Sequence, residues 1–163
     1  MMKSRTRPAA TPEETLYAMD RMIALAQFGQ QDIAARFGLN VTDLTCLGLL
    51  FEARTAGDRL GAGELAARAR LTTGAVTGVL NRLEKAGYIR REHDPSDRRR
   101  VWAVLEDAAQ LRVCEVYGPL YERLGALFAD YTDDEIAVLA DWFTRARAAM
   151  RVSLDEIRLP RRA

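Results

Sequence analysis

The chain has 163 residues, of which 48% are hydrophobic and 29% charged, with 24 basic side chains against 23 acidic ones. This composition suffices for one packed domain and excludes wholesale disorder, and two cysteines are too few for a disulfide framework. No apolar run approaches the about 20 residues of a membrane span, and the basic, polar start lacks the apolar stretch of a secretory signal, so we expect a soluble, cytoplasmic protein.

The N-terminal part of the chain predicts a short flexible tail over residues 1–11 followed by one long helix. Thr11 can cap this helix, and Glu14 completes a capping box. Apolar or uncharged residues then recur at a 3-4 spacing from Leu16 onward, a pattern typical of a helix that packs against other helices. We therefore expect residues 12–40 to form an N-terminal dimerisation helix.

The middle of the chain, residues 41–105, has the element order of a winged helix-turn-helix: helix, short helix, helix and β-hairpin. Its hydrophobic pattern changes from helical to alternating after Gly87. The predicted elements are a helix opened by Thr42-Asp43, a short helix at Glu64–Ala69, a helix at Thr73–Ala86, and strands at Tyr88–Glu92 and Arg100–Leu105 joined by a turn at His93–Asp97.

Residues 106–163 return to a helical pattern and predict further long helices. Pro119 should kink or break the first of them, and a second capping box, from Thr132 to Glu135, opens the last one. A winged module of about 60 residues has room for little more core. We therefore expect the terminal helices to pack on each other across a two-fold axis, which makes the protein a homodimer.

The charge is distributed unevenly along the chain. Residues 63–105 carry 9 basic and 5 acidic side chains, whereas residues 1–62 carry 7 of each and residues 106–163 carry 8 basic and 11 acidic ones. A basic middle between neutral and acidic flanks is typical of a polyanion-binding module. Because this middle is also the predicted winged helix-turn-helix, double-stranded DNA is the expected partner.

The helix at Thr73–Ala86 has the composition of a recognition helix. Val76, Leu80 and Leu83 form its apolar stripe, so its polar residues face outward. Small residues near its start would allow close approach to base edges, and the hydroxyls and free amides there suit a phosphate. The candidate DNA contacts are Thr72, Thr73, Gly74, Thr77, Gly78, Asn81, Arg82 and Lys85. The alternative is an ordinary exposed helix face.

The hairpin turn carries a second group of candidate DNA contacts. Arg98, Arg99 and Arg100 follow a tight turn, and a rigid loop bearing arginines can enter a narrow minor groove. Asp97 beside them is expected to brace an arginine side chain in an extended pose. The alternative is a solvated charged turn.

Two stretches of sequence resemble one known family closely. The helix and its flanks, from Leu71 to Tyr88, and the turn Asp94-Pro95-Ser96-Asp97-Arg98-Arg99-Arg100-Val101 are similar to the recognition helix and wing of the MarR family of bacterial transcriptional regulators. The resemblance implies a mainly α fold, a homodimer with two winged lobes, a pairing of Asp97 with Arg99 within the wing, and an arginine that reaches the minor groove.

The same resemblance implies a repressor that binds a palindromic operator and is released by a small, often aromatic or anionic, ligand. In the family this ligand lies between the dimerisation helices and the winged lobe. The candidate lining residues in this sequence are Phe28, Phe51, Trp102 and Tyr117. Plain hydrophobic packing is the alternative for each.

Enzyme function is not expected. The sequence contains no GxxxxGK[ST], HExxH or GxSxG motif, and a zinc site needs several nitrogen or sulfur ligands, whereas His93 is the single histidine. We therefore expect no catalytic residues, no metal and no cofactor. The competing function is a winged-helix protein-interaction module without specific DNA binding.

Overall fold

The computed structural model describes residues 8–158 as a mainly helical chain with a small antiparallel sheet, which confirms the predicted fold class. The elements in chain order are α1 (Pro12–Arg36), α2 (Val41–Thr55), β1 (Leu60–Gly61), α3 (Ala62–Ala69), α4 (Thr73–Lys85), β2 (Ile89–His93), β3 (Val101–Leu105), α5 (Asp107–Leu127), a 3-10 turn (Phe128–Asp130) and α6 (Asp133–Arg158). The tail predicted for residues 1–11 lies largely outside the described residues.

The chain forms two compact units. The first runs from Ala9 to Pro119 and holds the helix-turn-helix, the sheet, α1 and the first part of α5. The second includes the chain from Leu120 onward, with the rest of α5 and all of α6. Pro119 lies inside α5, which continues past it as one helix, so the proline marks the division between the units without ending the helix.

The predicted capping boxes are confirmed at both long terminal helices. The Glu14 amide donates to Thr11 Oγ1 at 3.2 Å, and the Thr11 amide donates to Glu14 Oε2 at 2.8 Å. Thr132 and Glu135 exchange the same two bonds at α6, at 2.8 and 3.3 Å. These reciprocal bonds satisfy amides that have no partner inside the helix, which is why both starts are readable from local sequence.

The core of the first unit lies between α2, α3, α4 and the sheet. Leu47, Leu65 and Leu83 are almost fully buried there. The end of α1 joins this core, because Phe37 is buried in it and its carbonyl accepts a 2.8 Å hydrogen bond from the Tyr88 hydroxyl. The apolar stripe of α1 therefore packs at its C-terminal end into the winged lobe and is free for other packing only nearer its start.

The sheet has three strands in the order β1-β3-β2, where two were predicted. In the hairpin, Ile89 pairs with Leu105 and His93 with Val101. The additional strand β1 pairs Leu60 with Ala103 and Gly61 with Trp102. Two residues are too few to produce an alternating pattern, so sequence periodicity does not reveal this strand.

Within residues 8–158, no single helix has the length and apolar composition of a membrane span. Only α1 and α2 taken together pass that test, and they are bent by 91° at their junction.

Candidate nucleic-acid interface

Helix α4 has the two faces predicted for it. Val76, Leu80 and Leu83 are buried, and Val79 is buried beside them. The polar positions from Thr72 to Lys85 that were assigned to the outer face are exposed, apart from Gly78, which is half-buried. The outer face is therefore available to a ligand as large as a DNA duplex.

The start of α4 is organised by threonine hydroxyls. Thr72 Oγ1 accepts a 3.2 Å bond from the Ala75 amide, which makes Thr72 the N-cap. The Thr77 hydroxyl donates to the Thr73 carbonyl at 2.9 Å. Both residues lie on the surface: the Thr72 hydroxyl keeps its hydrogen for a phosphate or base acceptor, whereas the Thr77 hydroxyl keeps only a lone pair for a base donor.

Glycines at the outer face leave open space near the helix axis. A Cβ at Gly74 would meet nothing within 4 Å, and a Cβ at Gly78 would meet only Arg82 Nη1, at 3.4 Å. Each glycine lowers helix stability by about 1 kcal/mol relative to alanine. No packing contact within the described chain explains why position 74 nevertheless has a glycine. A close approach of DNA would account for both.

Arg82 is hydrogen-bonded to a buried carboxylate, that of Asp43, which the sequence pattern did not indicate as a functional residue. Its Nε donates to both carboxylate oxygens of Asp43, at 3.1 and 2.9 Å, and its Nη2 donates to Asp43 Oδ1 at 2.7 Å. Asp43 is 1% exposed. These bonds raise the pKa of Arg82 above its ordinary value. Arg82 therefore joins α4 to α2 and is not a freely rotating surface cation.

Asn81 is bound to the wing. Its Oδ1 accepts a 2.7 Å bond from Arg91 Nη2, and Arg91 Nη1 lies 3.0 Å from Glu84 Oε2. The amide nitrogen of Asn81 stays available on the exposed side of α4. Lys85, one turn further on, has no hydrogen bond or ion pair described in residues 8–158. The outer face thus combines side chains fixed by neighbours with a free ammonium group.

The wing turn is built around the Asp94 carboxylate. Asp94 Oδ1 accepts bonds from the Ser96 amide at 2.7 Å, the Ser96 hydroxyl at 2.5 Å and the Asp97 amide at 3.2 Å, and Oδ2 accepts from Trp102 Nε1 at 3.0 Å. Because these donors favour the ionised carboxylate, they lower the pKa of Asp94 to about 2, the Ser96 bonds most strongly. The turn is therefore fixed at neutral pH.

Asp97 braces the wing through its backbone. Its Oδ1 accepts from the Arg99 amide at 3.0 Å, and its carbonyl accepts from the Arg100 amide at 2.8 Å. The resemblance implied a pairing of Asp97 with Arg99, and the described contact joins the Asp97 carboxylate to the Arg99 main-chain amide, so Asp97 shapes the turn.

The three wing arginines differ in their contacts. Arg100 Nη2 donates to Glu64 Oε1, and Arg100 Cζ lies 4.0 Å from the centre of the Trp102 ring. Arg98 and Arg99 are exposed, and no hydrogen bond or ion pair of either side chain is described in this part of the chain. Arg100 thus ties the wing to α3 while its side chain stays half exposed, and Arg98 and Arg99 are the two arginines of the wing without a described partner.

Glu64, predicted only as the start of a short helix, also holds a side chain of the wing. Its Oε2 accepts from the Gly61 amide at 2.6 Å, which caps α3, and its other oxygen receives Arg100. The Gly61 bond, and then Arg100, lower the pKa of this carboxyl below its usual value. The spacing of Gly61 and Glu64 could have indicated the cap, but no local pattern indicates a partner 36 residues away.

The four candidate ligand residues have separate environments. Trp102 is buried in the wing, Tyr117 stacks on Phe37 at 6.1 Å, and Phe51 packs half-buried against the core. Phe28 is 82% exposed on α1. None of the four lines the cavity of about 350 Å³ that lies between the end of α2, the sheet and the start of α5, or the surface pocket on α6. Among the described residues, no cluster of His, Cys, Asp or Glu could hold a metal ion.

Known proteins resemble this chain in sequence. Residues 39–101 match the MarR family model. An uncharacterised HTH-type transcriptional regulator of Bacillus subtilis, YcgE, is 37% identical over 78% of this chain and 80% of its own length. The HTH-type transcriptional repressor YetL of the same organism is 30% identical over 66% of both chains.

Solved structures show the same fold at low sequence identity. A mutant of MepR from a multidrug-resistant S. aureus clinical isolate superposes with a TM-score of 0.68 at 20% identity and covers 83% of this chain and 96% of MepR. Another S. aureus MepR mutant, bound to an oligodeoxyribonucleotide, gives a TM-score of 0.56 at 19% identity, over 83% of this chain and 97% of that one.

Proposed function

Because the chain belongs to the MarR family of DNA-binding transcriptional regulators, and so is not an enzyme, we propose that it represses transcription as a homodimer on a palindromic operator and is released from DNA by a small ligand. The observation that supports a DNA-binding surface is that α4 has an exposed polar face and that the wing next to it has two exposed arginines without a described partner. A winged helix-turn-helix uses such surfaces for the major and minor groove.

We assign a role to each surface. The exposed residues of α4 approach base edges near the N-terminus of the helix and phosphates further along it, and Arg98 and Arg99 enter the adjacent minor groove. Two copies related by a two-fold axis then require half-sites about one helical turn, ~34–36 Å, apart. The candidate DNA contacts are Thr72, Thr73, Gly74, Thr77, Gly78, Asn81, Arg82, Lys85, Arg98, Arg99 and Arg100.

A homodimer accounts for the apolar residues on the surface of the long helices. Leu25 and Phe28 on α1 are 73% and 82% exposed, and several large apolar side chains on α5 and α6 are about half exposed. Apolar surface of this extent on helices is typical of an oligomer interface. We assign residues 12–40 and 106–163 to dimerisation and residues 41–105 to DNA binding.

Ligand control follows from the family resemblance and is proposed for the aromatic residues of α1, α2 and α5. Phe28, Phe51 and Tyr117 remain candidate contacts for a small aromatic or anionic compound, whereas the Trp102 ring is already covered in the wing. A thermal-shift screen of aromatic carboxylates tests this: a compound that raises the melting temperature and lowers operator affinity supports it, and a stabilising compound that leaves operator affinity unchanged contradicts it.

The experiment for DNA binding is a gel shift with the promoter DNA that flanks the protein's own gene, at two salt concentrations. Phosphate contacts predict that affinity falls steeply as salt increases, and an operator predicts selectivity over unrelated DNA. Absence of binding at low salt would overturn the proposal in favour of a winged-helix protein-interaction module.

A further inference from the structure

The Asp43 carboxylate is the one buried charged side chain in the described core. It lies in the first turn of α2, where its amide donates to Asn40 Oδ1 at 2.8 Å. Its carboxylate lies beneath α4 and is reached by Arg82 from 39 residues further along the chain. Burying a carboxylate is costly unless its hydrogen bonds are made, and both Asp43 oxygens receive them from Arg82.

The contact uses one particular edge of the guanidinium. Nε and Nη2 face Asp43, whereas Nη1 lies over Gly78 on the outer side of α4, 3.4 Å from the Cβ position of that glycine. No partner of Nη1 is described in residues 8–158, and the Arg82 side chain is 51% exposed. The bonds to Asp43 therefore fix the plane of the group and leave Nη1, together with the second hydrogen of Nη2, as its free end without a described partner.

We propose that Asp43 is a positioning residue for DNA binding, which holds Arg82 so that the free end of its guanidinium meets a backbone phosphate of the operator. The inference rests on the proposed function and deepens it. A phosphate is the expected target because Arg82 is in the third turn of α4, beyond the N-terminal residues that reach base edges in a helix-turn-helix. A planar fork held in one orientation matches two phosphate oxygens.

A purely electrostatic effect of Asp43 and a positioning effect predict opposite changes in DNA affinity when Asp43 is removed, so the direction of the change tests the inference. If Asp43 contributed only its negative charge, its removal would raise the net charge by one and strengthen binding to DNA. If Asp43 positions Arg82, its removal frees the guanidinium to rotate, and binding weakens although the protein has become more basic.

The test compares Asp43→Asn with Asp58→Asn in the full-length protein. Asp58 is an exposed carboxylate of the same compact unit, paired with Arg68 at 3.4 Å, so its variant removes the same charge without touching α4. We expect Asp43→Asn to weaken binding to promoter DNA about 10-fold, in line with the loss of a charge-assisted hydrogen bond, and Asp58→Asn to bind as tightly as the wild type or more tightly. Unchanged or stronger binding by Asp43→Asn overturns the inference.

A second readout separates positioning from a structural role. Loss of one phosphate contact lowers the slope of log affinity against log salt by about 0.9, whereas loss of helix packing alone leaves the slope unchanged. We expect the lower slope in Asp43→Asn, on the promoter fragment and on unrelated DNA. A wild-type slope in a folded Asp43→Asn protein counts against the inference.

A double variant covers the possibility that Asp43→Asn does not fold. Asp43→Asn combined with Arg82→Gln replaces the ion pair by two amides that can bond to each other, and far-UV circular dichroism checks its fold. We expect the double variant to bind as weakly as Arg82→Gln, because Asp43 acts through Arg82. Wild-type affinity in the double variant contradicts the inference, whereas absent salt-sensitive binding by the wild type contradicts the proposed function itself.

Discussion

At the wing turn, one carboxylate decides the shape of the loop that carries the arginines. Asp94 accepts four hydrogen bonds, from Ser96, Asp97 and Trp102, and the backbone of the turn follows from them. Arg98 and Arg99 extend outward from this fixed loop without a described partner of their own. In the proposed complex with DNA, neither residue has to break a described internal bond first, so these two residues are the most direct test of the wing.

Replacing Arg99 by Ala should weaken operator binding about 10-fold, because a charge-assisted hydrogen bond to DNA is lost, and should leave the fold intact. Gel shifts measure the affinity, and urea unfolding measures the stability. Arg54→Ala at the end of α2 is the matched control, since it removes an equal charge from a partly exposed side chain that lies outside both the candidate DNA contacts and the helices assigned to dimerisation. Equal operator affinity in Arg99→Ala and the wild type would remove the wing from the interface.

Acid should release the wing turn in a pH range set by Asp94. Its pKa is about 2 in the folded protein against 3.8 ordinarily, so its contribution to the folded turn is complete above about pH 4 and is lost as the pH falls through about 2. Trp102 fluorescence, recorded in a Trp142→Phe protein, should change over this range. In an added Asp94→Asn substitution the change should disappear, and persistence of the same midpoint would exclude Asp94 as its cause.

The residue scale is also where sequence reasoning is weakest. Arg98, Arg99 and Arg100 are equivalent in the sequence, and only the contact of Arg100 with Glu64 separates them. Likewise the sequence predicts Arg82 only as a surface cation, and its hydrogen bonds to Asp43, 39 residues earlier, are visible only in the structure. Both contacts join elements that are distant along the chain, and no local pattern of residue types encodes them.

At the scale of elements, local chemistry makes the helices predictable. The end of α4 shows why: Gly87 has φ of +74°, its amide donates to the Glu84 carbonyl at 3.0 Å, and the Tyr88 amide donates to the Leu83 carbonyl at 2.9 Å. This pair of hydrogen bonds requires a left-handed residue, which glycine adopts without strain. The predicted stop at Gly87 is confirmed, whereas the two-residue strand β1 depends on pairing with β3 and has no local signal.

Two glycine substitutions should change stability in opposite directions. Gly87→Ala forces a Cβ into left-handed backbone and should lower the free energy of unfolding by about 1 kcal/mol. Gly48 lies inside α2, is exposed and has nothing within 4 Å of its Cβ position, so Gly48→Ala should raise the free energy of unfolding by about 0.5–1 kcal/mol. Urea unfolding of both variants measures the difference, and a shift of the same sign in both would contradict the assigned backbone conformations.

At the scale of the whole molecule, helix α1 shows what a periodic sequence pattern leaves out. The buried Phe37 and its bond from Tyr88 place the end of α1 in the core of the lobe, whereas Leu25 and Phe28 nearer the start are exposed. Leu25 and Phe28 stand two positions after Ile23 and Ala26 and so lie off the 3-4 stripe, which means that α1 carries a second, exposed apolar surface. Periodicity gives the apolar face of a helix but not what covers each part of it.

Aspartates at two exposed apolar positions of α1 should separate the proposed dimer. Leu25→Asp with Phe28→Asp places charges where a partner's apolar surface is expected, so light scattering should give a monomer at micromolar concentration and palindromic DNA should be bound only weakly. Gln27→Asp with Gln31→Asp adds the same charge to polar positions of the same helix and should remain dimeric. A dimer of unchanged affinity in the Leu25 and Phe28 variant would place the interface elsewhere.

Strand β3 is hydrogen-bonded on both sides, to β2 and to β1, and β1 leads directly into α3. The arginine turn is therefore a stiff extension of the helix-turn-helix, and its spacing from α4 is set before any duplex is encountered. Little conformational entropy is lost when both surfaces dock at once. Under the proposed function the DNA must adjust to this spacing, so we expect a preference for sequences whose groove width already suits it, even at base pairs that no side chain touches.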